Sequence, residues 1–329
     1  MNLCCRTAGL KLGVKADSSR WERFVREAFA GQEQDEGPAD VNVLVAESSE
    51  RFSLMGLAPL TRGAWSDGTS VVIENACGSG VDLKARAEAG RLDVEARYRP
   101  GWSTRGLGVV APARAQLLLR SAILQYPAMW WAGVTGSVPL HVSGVRAGDI
   151  SVAIAGPGGV GKSTLLRDAM SEGGQGVSDN LCMGRDLMLH GVLEPLRANG
   201  GEGRRMPHGR RESVWTDRLD SIEVERILVL RRGAGGRVVV RPVDPQVAAR
   251  VIVAGTYAAG ELRRYWGFAA TLALGTGLGP AHPPIVDAAT RLAEAVPCAE
   301  VILPRTLGTR LSDVIGLSQA YVDELSSEG

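Results

Sequence analysis

One short stretch of the sequence combines the residue types that hold phosphate groups. GPGGVGKS, residues 156–163, satisfies the pattern G-x-x-x-x-G-K-[ST] between an apolar run and a helical pattern, which is the context that a phosphate-binding loop needs. Glycines let successive backbone N–H groups surround phosphate oxygens at the positive end of the following helix. We therefore predict that a nucleotide is bound by Gly156, Gly158, Gly159, Val160, Gly161, Lys162, Ser163 and Thr164.

The polar side chains of this loop have separate expected roles. Lys162 is expected to reach the β- and γ-phosphates, and the Ser163 hydroxyl to ligate Mg²⁺, with Thr164 close behind. The alternative is a glycine-rich turn that carries a Lys-Ser pair by chance. The strand and helix patterns on either side favour the nucleotide site.

Two large classes of nucleotide-binding protein are disfavoured by the surrounding sequence. SEGGQG, residues 171–176, resembles the ABC transporter signature, but it follows the loop by only one helix, and its glycines suit a helix end. There is no N-K-x-D motif for reading guanine. ERILVLRR, residues 225–232, ends in two arginines where a Walker B strand would carry an acidic residue.

Bulk properties limit the partners. The 329 residues include 37 Lys plus Arg and 36 Asp plus Glu, so no global charge attracts nucleic acid or an anionic membrane. The five cysteines contain no C-x-x-C pair, which argues against a disulfide framework or a zinc site and favours a reducing compartment. No leader pattern or long apolar run is evident. We predict a cytoplasmic protein that binds neither nucleic acid nor membrane.

The first part of the chain is predicted to be rich in β-structure. The first hundred residues suggest short strands joined by turns, the clearest at 41–47 and 69–74, and a hairpin over 81–99. Helical spacing follows at 112–125. We place a domain boundary near Gly136, which gives an N-terminal β-rich domain, residues 1–136, and a second domain, residues 137–329.

The second part has α/β patterning around the phosphate loop. The predicted elements are a strand at 151–155, a helix at 163–171, a strand bordering 176–180, a strand pair at 224–232 and 236–243, helices at 258–274 and 285–295, a strand at 299–304 and a C-terminal helix. Residues 197–212 are rich in Gly and Arg and are predicted to form a mobile loop. This loop is either a solvated linker or a segment that closes over an acidic substrate.

Residues 138–188 resemble the catalytic core of HPr kinase/phosphorylase and its relatives, which share the phosphoenolpyruvate carboxykinase-like fold. Three features carry the resemblance: Leu140-His141 one hairpin before the loop, the loop itself, and Asp179-Asn180 after the loop helix. The resemblance extends more weakly to GVLEPLR, residues 191–197. It implies an α/β protein in which an N-terminal β-rich α+β domain precedes a carboxykinase-like P-loop kinase domain.

The resemblance implies ATP and Mg²⁺ as cofactors and transfer of the γ-phosphoryl group to a hydroxyl. The acceptor is expected to be a seryl side chain of a peptide or protein, or a small metabolite alcohol. Lys162 and Mg²⁺ would neutralise the phosphates, and Asp179 would act as general base. His141 would lie beside the reacting groups, and Glu194 would be a second partner of Mg²⁺ beside Ser163. The resembled enzymes form rings, which leaves a homo-oligomer open.

Alternatives remain for several of these residues. Asp179 also suits a turn, because Ser, Asp and Asn favour turns. His141 also suits a packed core residue, and Glu194 a solvated carboxylate. Asn180 lacks the second charge of the pair, which argues against chemistry that needs two carboxylates, the reverse phosphorylase reaction first. A nucleotide-sensing binding protein and an ATPase without a phosphoacceptor are the other functions considered.

Overall fold

The computed structural model describes residues 2–32, 37–88, 90–198, 203–206, 209–304 and 308–318. These residues form both strands and helices, which confirms the predicted α/β class. The strands are β1 (Asn2–Thr7), β2 (Leu10–Ala16), β3 (Val41–Ala46), β4 (Ala58–Thr61), β5 (Ala64–Ser66), β6 (Ser70–Ile73), β7 (Val81–Glu88), β8 (Arg91–Tyr98), β9 (Val138–Leu140), β10 (Ser143–Ala147), β11 (Ile150–Ala155), β12 (Gln175–Ser178), β13 (Cys182–Arg185), β14 (Met188–Gly191), β15 (Leu196–Ala198), β16 (Arg211–Ser213), β17 (Ser221–Glu223), β18 (Arg226–Arg232), β19 (Val239–Pro242) and β20 (Cys298–Leu303).

The α-helices are α1 (Ser19–Ala28), α2 (Trp102–Val110), α3 (Pro112–Arg120), α4 (Tyr126–Val134), α5 (Lys162–Ser171), α6 (Pro245–Ala258), α7 (Tyr265–Thr276) and α8 (Ile285–Ala295). A 3₁₀ turn lies at Ala76–Gly78, a π-helical turn at Ser121–Gln125 continues α3, and residues 311–318 are helical.

The chain divides into two compact units. The first unit comprises Met1–Ser137, Val192–Thr216 and Glu261–Pro283, and the second comprises Val138–Gly191, Asp217–Gly260 and Pro284–Gly329. The first crossing between units lies beside the expected boundary at Gly136. The two later segments of the first unit fall within the expected second domain, because the chain returns twice to the β-rich unit. Each return is hydrogen-bonded there: the Leu193 amide donates to the Thr7 hydroxyl at 2.8 Å, and the Ser66 hydroxyl donates to the Gly275 carbonyl.

The first unit is built on an eight-stranded sheet in the order β1-β2-β3-β8-β7-β6-β5-β4. Strands β2, β3 and β8 run parallel, and the other neighbours are antiparallel. Helix α1 connects β2 to β3, as a crossover between parallel strands requires. It buries Trp21, Phe24, Val25 and Ala28, which recur at helical spacing.

The second unit contains two sheets. One has six strands in the order β12-β10-β11-β18-β20-β19, with β11, β18 and β20 parallel to one another. The other has four antiparallel strands in the order β17-β14-β13-β9. Buried aliphatic side chains fill β11 and β18, the pattern expected of central parallel strands.

Several predicted elements are confirmed by the structure. These are the strands at β3, β6, β11 and β20, the hairpin of β7 and β8, and the helices at α3, α5 and α8. The strand near residues 176–180 is β12, which ends just before Asp179. The C-terminal helix is present over 311–318, and residues after 318 lie outside the described part of the chain.

Four expectations were wrong or incomplete. The first hundred residues include a helix, α1, besides strands. Strands β18 and β19 do not pair with each other, because β20 lies between them. The helical region expected at 258–274 contains the end of α6 and most of α7, and α6 already begins at Pro245. The ends of the expected mobile loop pair as β15 and β16, while residues 199–202 and 207–208, with His208, lie outside the described residues.

Candidate functional site

The loop between β11 and α5 has a backbone that only glycine adopts easily. Gly156, Gly159 and Gly161 have φ angles of +146°, +78° and +127°, and α5 begins at Lys162. A Cβ atom at Gly156 would lie 2.9 Å from the carbonyl oxygen of Leu230 on β18. The loop conformation therefore depends on the glycines that define the sequence motif.

The loop also offers room beside its backbone. A Cβ atom at Gly158 or Gly159 would meet no other heavy atom within 4 Å. This open segment lies just ahead of the N-terminus of α5, where backbone N–H groups and the helix dipole favour an anion. The geometry of the loop fits the phosphate groups of a nucleotide.

Lys162 and Ser163 lie in the first turn of α5. The Lys162 side chain is only 4% exposed, and its ammonium group donates to the Gly156 carbonyl at 2.8 Å and to the Pro157 carbonyl at 3.5 Å. Ser163 is also buried, and Thr164 is half-buried. The ammonium group is thus held within the loop, where it is close to any group that the loop amides bind.

Strand register brings Asp179 to the same edge of the sheet as the loop. Strand β10 runs antiparallel to both β11 and β12, and its Gly144 lies opposite Ala153 on one side and Ser178 on the other. Strands β11 and β12 therefore run in the same direction. Because the carboxyl ends of parallel strands lie at one edge of a sheet, the loop and Asp179 leave the sheet at the same edge, with strand β10 between them.

His141 lies in a segment that connects the two sheets of this unit. Strand β9 of the four-stranded sheet is followed by β10 of the six-stranded sheet, and β12 of the six-stranded sheet is followed by β13 of the four-stranded sheet. In the four-stranded sheet Leu140 lies opposite Cys182, and in the six-stranded sheet Gly144 lies opposite Ser178. The two connecting segments, 141–142 and 179–181, therefore run next to each other between the sheets. We call these two segments the seam. His141 and Asp179 are the first residues of its two segments.

Hydrogen bonds hold the seam together. The Ser143 hydroxyl donates to the backbone carbonyl of Asp179, and the Ser178 hydroxyl donates to the carbonyl of Leu181 at 2.5 Å. The amide of Val142 donates to the carbonyl of Leu140 at 3.0 Å, which makes a tight turn at His141. The Asp179 side chain is fully buried and that of Asn180 is nearly so. The seam is therefore an ordered, buried part of the unit.

Helix α6 lies against both His141 and the start of the phosphate loop. The His141 amide donates to the Thr256 hydroxyl at 2.9 Å, and this hydroxyl donates in turn to the carbonyl of Ile252 at 2.7 Å. A Cβ atom at Gly255 would lie 3.5 Å from His141 Nδ1 and 3.9 Å from the carbonyl oxygen of Gly156. The imidazole and the start of the loop thus approach the same point on α6.

Glu194 is part of the first unit, whereas Ser163 is part of the second. Within the first unit Glu194 is buried, and its carboxylate lies 3.9 Å from the guanidinium of Arg197, which forms a closer ion pair with Glu261 at 2.6 Å. The Glu194 carbonyl accepts a hydrogen bond from the Trp215 indole at 2.8 Å. Its assignment to Mg²⁺ stays a prediction.

Arg204 and Arg211, in the predicted loop over residues 197–212, have structural partners in the first unit. Arg204 pairs with Glu27 at 2.9 Å, and Arg211 donates to the Gly203 carbonyl at 2.8 Å. Glu212, on β16, pairs at 2.8 Å with Arg120, which is buried. These contacts argue against a freely solvated linker for the described part of this loop, and closure over an acidic substrate stays a prediction.

Arg232 was not among the predicted site residues, although it is the last residue of β18, next to the loop strand β11. A Cβ atom at Gly161 would lie 3.5 Å from the Arg232 guanidinium. The sequence signal was the end of ERILVLRR, where a P-loop protein commonly has an acidic residue. Strand alternation predicts that Arg231 and Arg232 point to opposite faces.

The residues suit Mg²⁺ in company with phosphates. Among the described residues, no cluster of three or more His, Cys, Asp or Glu side chains is arranged to hold a metal ion. Mg²⁺ bound with a nucleotide commonly has only one or two protein ligands, its other ligands being phosphate oxygens and waters. The Ser163 hydroxyl, at the start of α5, fits that limited role.

In the described part of the chain, no single helix is long and apolar enough to cross a membrane. One pair, Trp102–Val110 with Pro112–Val134, meets the length and composition criteria together but is bent by 119°.

No protein-family model matches this chain, and no curated protein matches it as a relative. The resemblance of residues 138–188 to HPr kinase/phosphorylase stays a prediction, and the chemistry of the site is argued from its own geometry.

Proposed function

We propose that the protein is an ATP-dependent kinase that transfers the γ-phosphoryl group to a hydroxyl, either a seryl side chain of a peptide or protein or a small metabolite alcohol. In this proposal the second unit is a P-loop kinase domain of the carboxykinase-like type, and the β-rich first unit is an accessory domain. The observation that carries it is that the phosphate loop and Asp179 follow strands that end at the same sheet edge, while His141 and the Gly156 carbonyl approach the same point on α6.

The loop holds the phosphoryl donor. The backbone N–H groups between Gly158 and Thr164 surround the phosphates, and Lys162 exchanges its contact with the Gly156 carbonyl for the β- and γ-phosphates. The Ser163 hydroxyl would hold Mg²⁺ together with the phosphates, and the ion would supply additional charge neutralisation. The low exposure of Lys162 supports this role, because its charge acts more strongly where water is excluded.

Asp179 is the proposed general base. It takes the proton of the acceptor hydroxyl while the hydroxyl oxygen forms a bond to the γ-phosphorus, the bond from that phosphorus to the β,γ-bridging oxygen breaks, and ADP leaves. One carboxylate is enough for this direction of reaction. His141, whose Nδ1 and the Gly156 carbonyl approach the same point on α6, would contact the transferred group or relay the acceptor proton.

Other functions differ from this one in an observable way. An ATPase without an acceptor releases phosphate steadily on its own, and a nucleotide-sensing protein retains ATP without turning it over. The absence of a Walker B acid at the end of β18 disfavours the ATPase, because such an acid commonly positions Mg²⁺ and water.

The test is to incubate the protein with Mg·ATP and pools of peptides and metabolites, and to search by mass spectrometry for a gain of one phosphate. The Lys162→Ala variant should lose this transfer. Lys84→Ala, which changes an exposed lysine of the first unit, should retain it. Phosphate release or ATP retention without any phosphorylated acceptor would support the alternatives, and equal transfer by wild type and Lys162→Ala would contradict the proposal.

A further inference from the structure

Arg232 lies at the edge of the sheet where the phosphate loop begins. Strand β18, which it ends, runs parallel to β11, with Val229 opposite Ala155 at the last paired position. The guanidinium is 3.5 Å from the Cβ position of Gly161, the residue before α5. The pairing of β18 with β11 thus positions a cation next to the loop. This cation is not part of the loop sequence.

The guanidinium is held in place but keeps an accessible charge. One terminal nitrogen donates to the Pro304 carbonyl at 2.8 Å, and the other is the atom near Gly161. Among the described residues, no carboxylate forms an ion pair with Arg232, and the residue is exposed. Its neighbour Arg231 differs, because it bonds to the buried carboxylate of Glu300 at 2.9 Å.

Two sources of positive potential therefore meet at this point. The N-terminus of α5 carries a partial positive charge, and a guanidinium beside it is unfavourable unless an anion lies close to both. Phosphate oxygens satisfy this condition well, since Arg binds them through two parallel hydrogen bonds. The end of β18 thus offers a cation where many P-loop enzymes have an acidic metal ligand.

We propose that Arg232 binds a β- or γ-phosphate oxygen of the nucleotide and stabilises the charge on the phosphoryl group during its transfer. This inference rests on the proposed function and adds to it a catalytic residue that contacts the donor. Because the contact is to the distal phosphates, ATP affinity depends on Arg232 and AMP affinity does not.

The experiment compares wild type, Arg232→Ala, Arg232→Lys and Arg237→Ala. Arg237 is an exposed arginine on the segment between β18 and β19, so its loss makes the same change in net charge. Binding of ATP and AMP is measured by calorimetry, and phosphoryl transfer with the acceptor found in the screen, or ATP turnover, is measured separately. Melting temperatures of all variants show whether each is folded.

Arg232→Ala is expected to weaken ATP binding, leave AMP binding unchanged and lower the transfer rate by about 10²-fold, the effect typical of removing one preorganised donor. Arg232→Lys should recover part of the loss, and Arg237→Ala should match wild type. Unchanged ATP binding and transfer in both Arg232 variants would overturn the inference about Arg232. The proposed function is tested separately by the Lys162→Ala variant. Absence of ATP binding by wild type would overturn both.

Discussion

The hydroxyl of Ser143 donates a hydrogen bond to the backbone carbonyl of Asp179. Ser143 begins β10, and Asp179 follows β12, the strand that pairs with β10. This bond joins the start of β10, directly after one segment of the seam, to the first residue of the other segment, which is the proposed general base. The position of the Asp179 backbone is therefore set by a side chain that is distant in the sequence but adjacent in the sheet.

Replacing Ser143 by Ala should destabilise the second unit. The substitution leaves a buried carbonyl without this donor, which costs about 1–3 kcal/mol of unfolding free energy. Urea denaturation measures the loss. Ser171→Ala is the matched control, because the Ser171 hydroxyl makes a similar bond to the Asp168 carbonyl at an exposed helix end. Equal losses in the two variants would contradict the special role of the seam.

Asp179→Asn should separate nucleotide binding from transfer. The amide has the shape of the carboxyl group but cannot accept the acceptor proton, so the transfer rate should fall by about 10²–10⁴-fold while ATP binding is retained. Rate and affinity are measured with the phosphoacceptor identified in the screen. Asp149→Asn, at an exposed turn before β11, should behave as wild type. An Asp179→Asn variant as fast as wild type would rule out the base assignment.

Thr256→Val should disturb the support of His141. Valine keeps the shape of threonine but cannot accept from the His141 amide, so an unpaired buried N–H costs about 1–3 kcal/mol. Thr256→Ser retains the hydroxyl and should be closer to wild type in thermal stability. Transfer activity should decrease more in Thr256→Val than in Thr256→Ser. If the two variants unfold at the same temperature, the hydrogen bond contributes little.

Gly161→Ala should impair nucleotide binding through the backbone. Alanine rarely adopts the φ of +127° found there, and its Cβ atom would lie 3.2 Å from the Leu303 side chain. Such strain costs about 1–3 kcal/mol, which the loop can relieve only by changing its shape. ATP titration by calorimetry should show weaker binding. Gly260→Ala, where the new Cβ meets no atom within 4 Å, should bind normally; normal binding by Gly161→Ala would be evidence against this loop geometry.

Glu300→Gln should change the pH dependence of stability. Hydrogen bonding from Arg231 lowers the pKa of Glu300 below its ordinary value of 4.5 and outweighs the raising effect of burial, and Arg241 adds to the lowering. A lowered pKa in the folded state means that the stabilisation is complete above pH 4.5 and is lost as the pH falls through the folded-state pKa.

At neutral pH the Glu300→Gln variant should therefore be less stable than wild type by about 1–2 kcal/mol, a modest value because both arginines are largely exposed. The difference should shrink as the pH is lowered below 4.5. Denaturation curves at several pH values measure it. A difference that stays constant over this range would mean that the charge of Glu300 does not stabilise the fold.

Local patterns predicted many elements but not which strands are neighbours. The hairpin of β7 and β8 was predictable because a tight turn connects strands that alternate in period two. Strands β18 and β19 resemble such a hairpin in sequence, yet β20 separates them. Apolar β20 lies between them and pairs with both. This pairing depends on the burial of side chains from distant segments, which a short stretch of sequence does not show.

One missed helix did have a local signal. Asp244 precedes Pro245, and its carboxylate accepts from the Gln246 amide at 2.7 Å, a capping arrangement that the residue types predict. Helix α6 matters for the site, because it carries Gly255 and Thr256 to His141. A capping residue followed by proline would have placed the start of the helix correctly.

The glycine-rich loop with its lysine and serine, and the helix after it, could be predicted from the sequence, because glycine conformations and helix starts depend on residues close together in the chain. The sequence did not show that His141 and Arg232 approach this loop, that Asp179 lies at the same sheet edge, or that Glu194 belongs to the other unit. Those relationships follow from strand register and order, which are set by the burial of side chains from distant segments and not by local preference.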